Sequence, residues 1–306
     1  MKHIKYLFLV LCTIFVFEMI SFNKAEADEC TVTAGVIKKA TTSANDSIRD
    51  GCDTLPDNYE VKIFKLYLCT SAPTEATTSS TAVLTSCSQI FNSASASGAT
   101  ASVTQGSDID LDGTYTRPPD GTYTHGYAYM KNTFGITWSG KIDGSKNGHT
   151  GSSGGNNTGA GGGGTGVYCA TMPNSGTHKQ GGTHTNSSKC SANDDLIAGK
   201  FVETLEQFGG FNNSFLSRAS VSNINGTTAS IVGLLVDENE HRAATTGEVV
   251  KLEGLVTFAD PVVVTSATTS LSMSFNVGEG MHFFDHLNND TLDIGSGPFQ
   301  AIMTAN

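Results

Sequence analysis

Apolar and polar side chains alternate along much of this chain with a period of two, the pattern of strands half buried in an antiparallel sheet. Leu271, Met273, Phe275 and Val277 are separated at every step by Ser or Asn. Residues 249–258 alternate in the same way and put Lys251, Glu253 and Thr257 on the outward side. Residues 121–130, GTYTHGYAYM, place Tyr123, His125, Tyr127 and Tyr129 together on one side. Residues 59–69, YEVKIFKLYLC, differ: apolar side chains fall on both parities, as in a strand covered on two faces. Asn225-Gly226 separates the runs 217–224 and 227–236 and predicts a tight hairpin, because both residues tolerate positive φ. One stretch has helical spacing. Ile197, Phe201, Leu205 and Phe208 recur three or four apart, acids precede them, and Gly209-Gly210 follows, which predicts a short helix over 194–208. The fold class expected is mainly β, an antiparallel β-sandwich built as one large unit or two smaller ones.

Between these runs the composition changes. Residues 144–166 hold GSSGGNNTGAGGGGTG and little that could be buried against its ordering entropy, so a flexible loop or linker is expected over 141–192. It divides an N-terminal β region, 28–140, from a C-terminal region, 193–306. The chain opens with Lys2 and Lys5, continues with an apolar run over 7–17, and reaches Ala25-Glu26-Ala27, the layout of a signal peptide cleaved after residue 27. That run is short of the roughly 20 residues a membrane helix needs. Cys12 follows large residues rather than the small one that precedes a lipidated cysteine. The mature chain is expected to be exported, with no membrane span and a location at the cell surface, outside the cell or in the periplasm.

The 306-residue chain carries 18 Lys and Arg against 29 Asp and Glu. Residues 1–27 contain three Lys and two acids, so the mature chain keeps 15 against 27 and a formal charge of −12. This balance argues against nucleic acid as a partner, since a phosphate-binding surface needs a basic stripe. Cys30, Cys52, Cys69, Cys87, Cys169 and Cys190 fall along the chain as three local pairs, and in an oxidising compartment the expected bridges are 30 with 52, 69 with 87 and 169 with 190. Zinc is disfavoured because no two cysteines have the spacing of a knuckle.

The stretch SDIDLDGTYTRPPDGTYT resembles the D-x-x-G-x-Y/F … P-x-G-x-Y pattern of prealbumin-like β-sandwich modules, the carboxypeptidase-regulatory and collagen-adhesin B-type domains, with Asp112, Gly113, Tyr115, Pro119, Gly121 and Tyr123 at the matching places. The likeness covers residues 107–124, has a shorter spacer than those modules, and implies an extracellular β-sandwich without transferring any site.

Candidate chemistry is sparse. Asp108, Asp110, Asp112 and Gly113 form D-x-D-x-D-G, which presents three carboxylates to one hard cation, although Pro119 stands where a calcium loop ends on Glu. Calcium is the one cofactor the sequence raises; three solvent-facing aspartates at a strand end are the alternative. His282 and His286 would share a face on a helix, but the surroundings read as β. His149, His178 and His184 sit among glycines that do not preorganise a site. No phosphate loop and no G-x-S-x-G elbow is present. Tyr127, Tyr129 and Trp138 are candidates for an aromatic platform for sugar rings, with burial in a core as the competing reading. The function expected is a non-catalytic structural or adhesive β-sandwich protein whose partner is a surface glycan, a protein or another copy of itself. A carbohydrate- or calcium-dependent binding module is the alternative, and an extracellular hydrolase a weaker one.

Overall fold

The computed structural model describes residues 29–38, 52–104, 109–142, 167–178, 187–191, 196–208, 214–285 and 292–306. The N-terminal residues expected to form a signal peptide and the glycine-rich residues 144–166 lie outside them. Among the described residues the chain is mainly β, arranged in several sheets. The largest has ten strands. Its main path runs Arg218–Ser222, Ser230–Val236, Lys251–Val264, Gly121–Thr137, Asn58–Cys69, Cys87–Ser93, Gly113–Tyr115, with Ala99–Val103, Phe201–Leu205 and Ser175–His178 joined to it at the side. Strands from both sides of residue 140 are therefore hydrogen-bonded neighbours in one sheet.

Two long strands, Asn58–Cys69 and Gly121–Thr137, pair antiparallel at the centre of this sheet, and each changes its outer neighbour part-way along. Residues 59–63 pair with Ala99–Val103, whereas 65–69 pair with Cys87–Ser93. Residues 121–131 pair with Lys251–Val264, whereas 133–136 pair with Phe201–Leu205. The sheet forks where the neighbours change, and the register of the central pair shifts there, between Val61 and Ile63 and again between Ile63 and Lys65. A bulge adds a residue to one strand and reverses which parity faces the core. Tyr59, Val61 and Ile63 thus share the main core with Leu66 and Leu68, and Phe64, Tyr67 and Cys69 face the other way. Apolar side chains on both parities reflect two covered faces and a bulge between them. Asn132 sits at the fork, buried, between Lys131 and Thr133, and its amide donates to the Leu205 carbonyl at 3.0 Å.

The main core lies between this sheet and three smaller ones. One contains Thr31–Thr33, Val36–Lys38, Ser139–Ile142, Val167–Thr171 and Ser188–Ser191; another Leu271–Asn276 and Gln300–Ala305; the third Cys52–Thr54, Met281–Asp285 and Leu292–Ser296. Val61, Ile63, Ile136 and Leu252 meet Ile37, Met273, Phe275, Met281, Ile294 and Phe299 there. Two of the local cysteine pairs are formed: Cys30–Cys52 staples two small sheets together, and Cys69–Cys87 crosses the ladder between its two strands. Each closes a short loop, worth roughly 3 kcal/mol in the chain-entropy picture. Cys169 is disulfide-bonded and faces Cys190 across the Val167–Thr171 and Ser188–Ser191 pair.

Three expectations are corrected. Residues 201–205 of the predicted helix form a strand, with Phe201 and Glu203 buried at a period of two and Ile197 92% exposed. The four-residue spacing of positions 197, 201 and 205 fits a period of two as well as one of 3.6, and pairing with Gly121–Thr137 decides between them. The hairpin at Asn225-Gly226 is real but wider: Arg218–Ser222 and Ser230–Val236 are joined through a 3-10 turn at Ile224–Gly226, with positive φ at Asn223 and Gly226 and Ile224 fully buried as its anchor. Tyr123 packs in the main core while Tyr127 and Tyr129 pack on the opposite face, because the ladder alongside them is interrupted between Thr257 and Val262.

Replacing Asn132 by Ala leaves the Leu205 carbonyl without its donor inside the fork, so a loss of about 1–3 kcal/mol is expected. Equilibrium denaturation with urea reads it as a lower midpoint at an unchanged slope.

Candidate functional site

The outward face of Lys251–Val264 is closed to water at Glu253 and Leu255. The segment 70–86, closed at its base by Cys69–Cys87, is an irregular hairpin with bridges Thr74 to Val83 and Thr77 to Ser80, and it folds back over the large sheet as a strap. Leu84 and Ala82 pack on Tyr127, Tyr129 and Leu255; Ala82 and Ala76 pack on Leu234 and Val236. Beyond them the Thr77 carbonyl accepts from the Arg242 N–H at 2.8 Å, and Glu75 makes a bidentate pair with Arg218 at 2.7 and 2.8 Å. The strap thus spans from the Cys87–Ser93 side of the sheet to its far edge strand, Arg218–Ser222.

Beneath it lies Glu253, fully buried, where alternation predicts a solvent-facing acid. Its Oε2 accepts a hydrogen bond from the Tyr127 hydroxyl, and its Oε1 has no hydrogen-bond partner among the described residues. Burial, more than any neighbour, pushes its carboxyl up to about 7, with Tyr127 opposing and Glu240 reinforcing the shift. Tyr127 and Tyr129 are pushed up in turn, first by burial and then by the Glu253 charge. The three rings form a ladder, Tyr127 to Tyr129 at 5.5 Å and Tyr129 to Tyr67 at 6.1 Å, with the Lys65 ammonium 5.4 Å above Tyr129.

Two further buried carboxylates join separate elements. Glu203 accepts from the Ser296 N–H at 2.6 Å and from the Ser296 hydroxyl, while His178 Nδ1 stands 4.0 Å from its other oxygen. The hydroxyl meets the carboxylate directly, an order unlike that of a nucleophile-imidazole-carboxylate relay. Asp53 pairs with His282 at 2.5 Å across the Cys52–Thr54 and Met281–Asp285 ladder, beside the Cys30–Cys52 bridge; burial raises its carboxyl and the histidine opposes the rise.

Trp138 belongs to the main core, its backbone fixed by Thr171 and its ring laid over Gly140, where a Cβ would come within 2.5 Å of it. Tyr127, Tyr129 and Trp138 are at most 5% exposed and do not form one surface, which corrects the expectation of a sugar platform built from them. Of the aspartate series, Asp108 lies outside the described residues; Asp110 and Asp112 are exposed on either side of buried Leu111. Among the described residues no group of three or more His, Cys, Asp or Glu side chains is placed to hold a metal ion. His149, His184 and His286 fall outside those residues.

No protein-family model, curated protein or solved structure matches this chain. Its candidate chemistry therefore rests on the geometry alone, and one pattern that the geometry brings out is an eight-residue repeat, DGTYT at 112–116 and again at 120–124. In each copy the tyrosine hydroxyl reaches back four residues: Tyr115 accepts from the Leu111 N–H at 2.8 Å and donates to the Leu111 carbonyl at 3.1 Å, and Tyr123 donates to the Pro119 carbonyl at 2.7 Å. Tyr123 is buried; Tyr115, resting on Phe91 at 5.1 Å, is 54% exposed. Among the described residues the large aromatic side chain most presented to solvent is thus Tyr115, beside the carboxylate of Asp110.

Because the native Glu253 carboxyl binds its proton more tightly than an unfolded glutamate does, its contribution to stability is fully present below about pH 4.5 and is lost as pH rises through about 7. Melting measured from pH 5 to pH 8 should show the native protein losing about 2 kcal/mol more than Glu253→Gln over that interval. Parallel curves for the two would show that the carboxyl is hydrated.

Proposed function

We propose that this chain is an exported structural β protein without catalytic activity that works by adhesion or self-association. The observation that carries this reading is the use made of its buried carboxylates. Glu253 joins Lys251–Val264 to Gly121–Thr137, Glu203 joins Phe201–Leu205 to the end of Leu292–Ser296, and Asp53 joins Cys52–Thr54 to Met281–Asp285. The side chains with the most chemical potential are thus engaged in holding strands and sheets together. Disulfides support an oxidising compartment, in line with the signal-like N-terminus, and the negative charge supports a partner other than nucleic acid. The likeness of residues 107–124 to extracellular β-sandwich modules fits the same setting. Among the described residues no helix is long and apolar enough to cross a membrane.

A carbohydrate-binding reading is favoured by a separate observation. Tyr115 is held from both sides by the Leu111 backbone, so its exposed ring can stack on a sugar with little further loss of side-chain freedom, and Asp110 supplies an acceptor for hydroxyl groups. The partner in this case is a surface glycan, and Asp110 and Asp112 are where calcium would act.

Sedimentation velocity of residues 28–306 over a range of concentrations, together with retention on immobilised polysaccharides, separates these readings. Concentration-dependent association unchanged by Tyr115→Ala supports self-assembly. Polysaccharide retention lost in Tyr115→Ala, with the melting temperature within a few degrees of the native one, supports the glycan surface. A strict monomer that turns over an extracellular polymer would overturn the non-catalytic reading.

A further inference from the structure

The strap closes over a carboxyl to which the sheet gives one hydrogen-bond donor for two oxygens. In the ladder Glu253 is flanked by Leu234 on one side and Tyr129 on the other. Ala82 packs against the clusters on both sides of it, so the cover that removes Glu253 from water is the strap itself. The charged and titratable groups facing this region come from four directions. The sheet supplies Tyr127, the hydrogen-bond donor, Tyr129, and His125, which lies opposite Cys69 and meets the Thr124 hydroxyl; the strand Asn58–Cys69 supplies Tyr67 and Lys65, the latter held over the Tyr129 ring; Lys251 and Glu240 pair with each other at 3.1 Å; and the strap brings Glu75, taken up by Arg218 with Arg242 nearby. Among the described residues no cation hydrogen-bonds to Glu253. Ionised, it has one phenolic hydroxyl for two oxygens, and its Oε1 requires water.

The elements around it differ in how easily they yield. Lys251–Val264 and its neighbours are fixed by continuous ladders on both sides. The strap is fastened to the sheet by the Thr77 to Arg242 backbone bond, the Thr124 hydroxyl on the Thr70 carbonyl at 3.2 Å beside the hinge, apolar contacts of Ala76, Ala82 and Leu84, and the Glu75–Arg218 pair, whose side chains are 30% and 41% exposed and which therefore contributes little; its own bridges, Thr74 to Val83 and Thr77 to Ser80, lie within it. We propose that the strap is a pH-responsive cover: ionisation of Glu253 releases residues 70–86 from the sheet about the Cys69–Cys87 hinge and admits water to the face formed by Tyr67, Tyr127 and Tyr129. The neutral carboxyl favours the closed form, so opening increases as pH rises from the ordinary carboxyl range to about 7 and levels off above it. The disulfide keeps the open strap attached at both arms, which makes the change local and reversible.

Amide hydrogen exchange of the disulfide-intact chain, read by mass spectrometry and corrected for the intrinsic pH dependence of exchange, tests this. Peptides covering residues 70–86 should lose protection about tenfold or more between pH 5 and pH 8, while the ladder between Ser230–Val236 and Lys251–Val264 keeps its own. Glu253→Gln, neutral at both pH values, should hold the strap at its pH 5 level throughout. The proposal is overturned if strap protection is the same at both pH values, if the variant responds as the native chain does, or if the ladder loosens in step with the strap. Should the variant not fold, the native chain still decides between local and global opening.

Discussion

Asn58–Cys69 and Gly121–Thr137 are paired along nearly their whole length, and this pairing sets what every other element can do. Two strands of that length, twisting as strands must, diverge from any single set of neighbours. The chain resolves the divergence by giving each end of the pair different partners and placing bulges where they change. The fork exposes backbone groups that regular pairing would satisfy. Asn132 meets that need with a side-chain amide, which explains a buried polar residue in an otherwise apolar run.

A sheet this wide must be dried on more than one face. The small sheets, two of them stapled by Cys30–Cys52 and one tied within itself by Asp53 and His282, cover one side and enclose the main core. On the other side the cover is a single hairpin excursion whose inward residues include Pro73, Ala76, Ala82 and Leu84. Small side chains bring the strap close to the sheet but bury modest apolar area, so this second interior is tightly closed and weakly held. An ionisable group placed there is opposed by fewer contacts than the same group in the main core would be.

Much of the fold was legible in the sequence. Alternation marked the strands at 249–258 and 271–277, local spacing anticipated the cysteine pairs at 30 with 52 and 69 with 87, and the double parity of 59–69 pointed to two covered faces. Where the pattern misled, the cause was usually non-local. Positions 197, 201 and 205 satisfy two periods at once, and a strand partner far away in sequence selects between them. Glu253 occupies an outward parity, and no local rule says that a Ser- and Thr-rich excursion 170 residues earlier will lie on top of it. A signal was present nonetheless: Leu255, Tyr127 and Tyr129 share that outward parity, an apolar patch that required a cover. The candidate site was less legible than the fold. Tyr127 and Tyr129 did mark the right region, but as the floor of a closed interior, and among the described residues the exposed aromatic side chain is Tyr115, whose hydroxyl-to-backbone tie depends on a turn geometry invisible to periodicity.

The bond between Cys69 and Cys87 also settles how the molecule carries load. A pull transmitted along Asn58–Cys69 crosses the sulfur atoms directly into Cys87–Ser93, so the residues of the strap are bypassed and bear no tension. The long central strands, by contrast, take up shear across many ladder bonds at once. The covalent path along these strands therefore does not run through the cover: tension in them is not passed along residues 70–86, and the loss of a proton proposed to lift the strap leaves the ladder bonds that resist stretching in place.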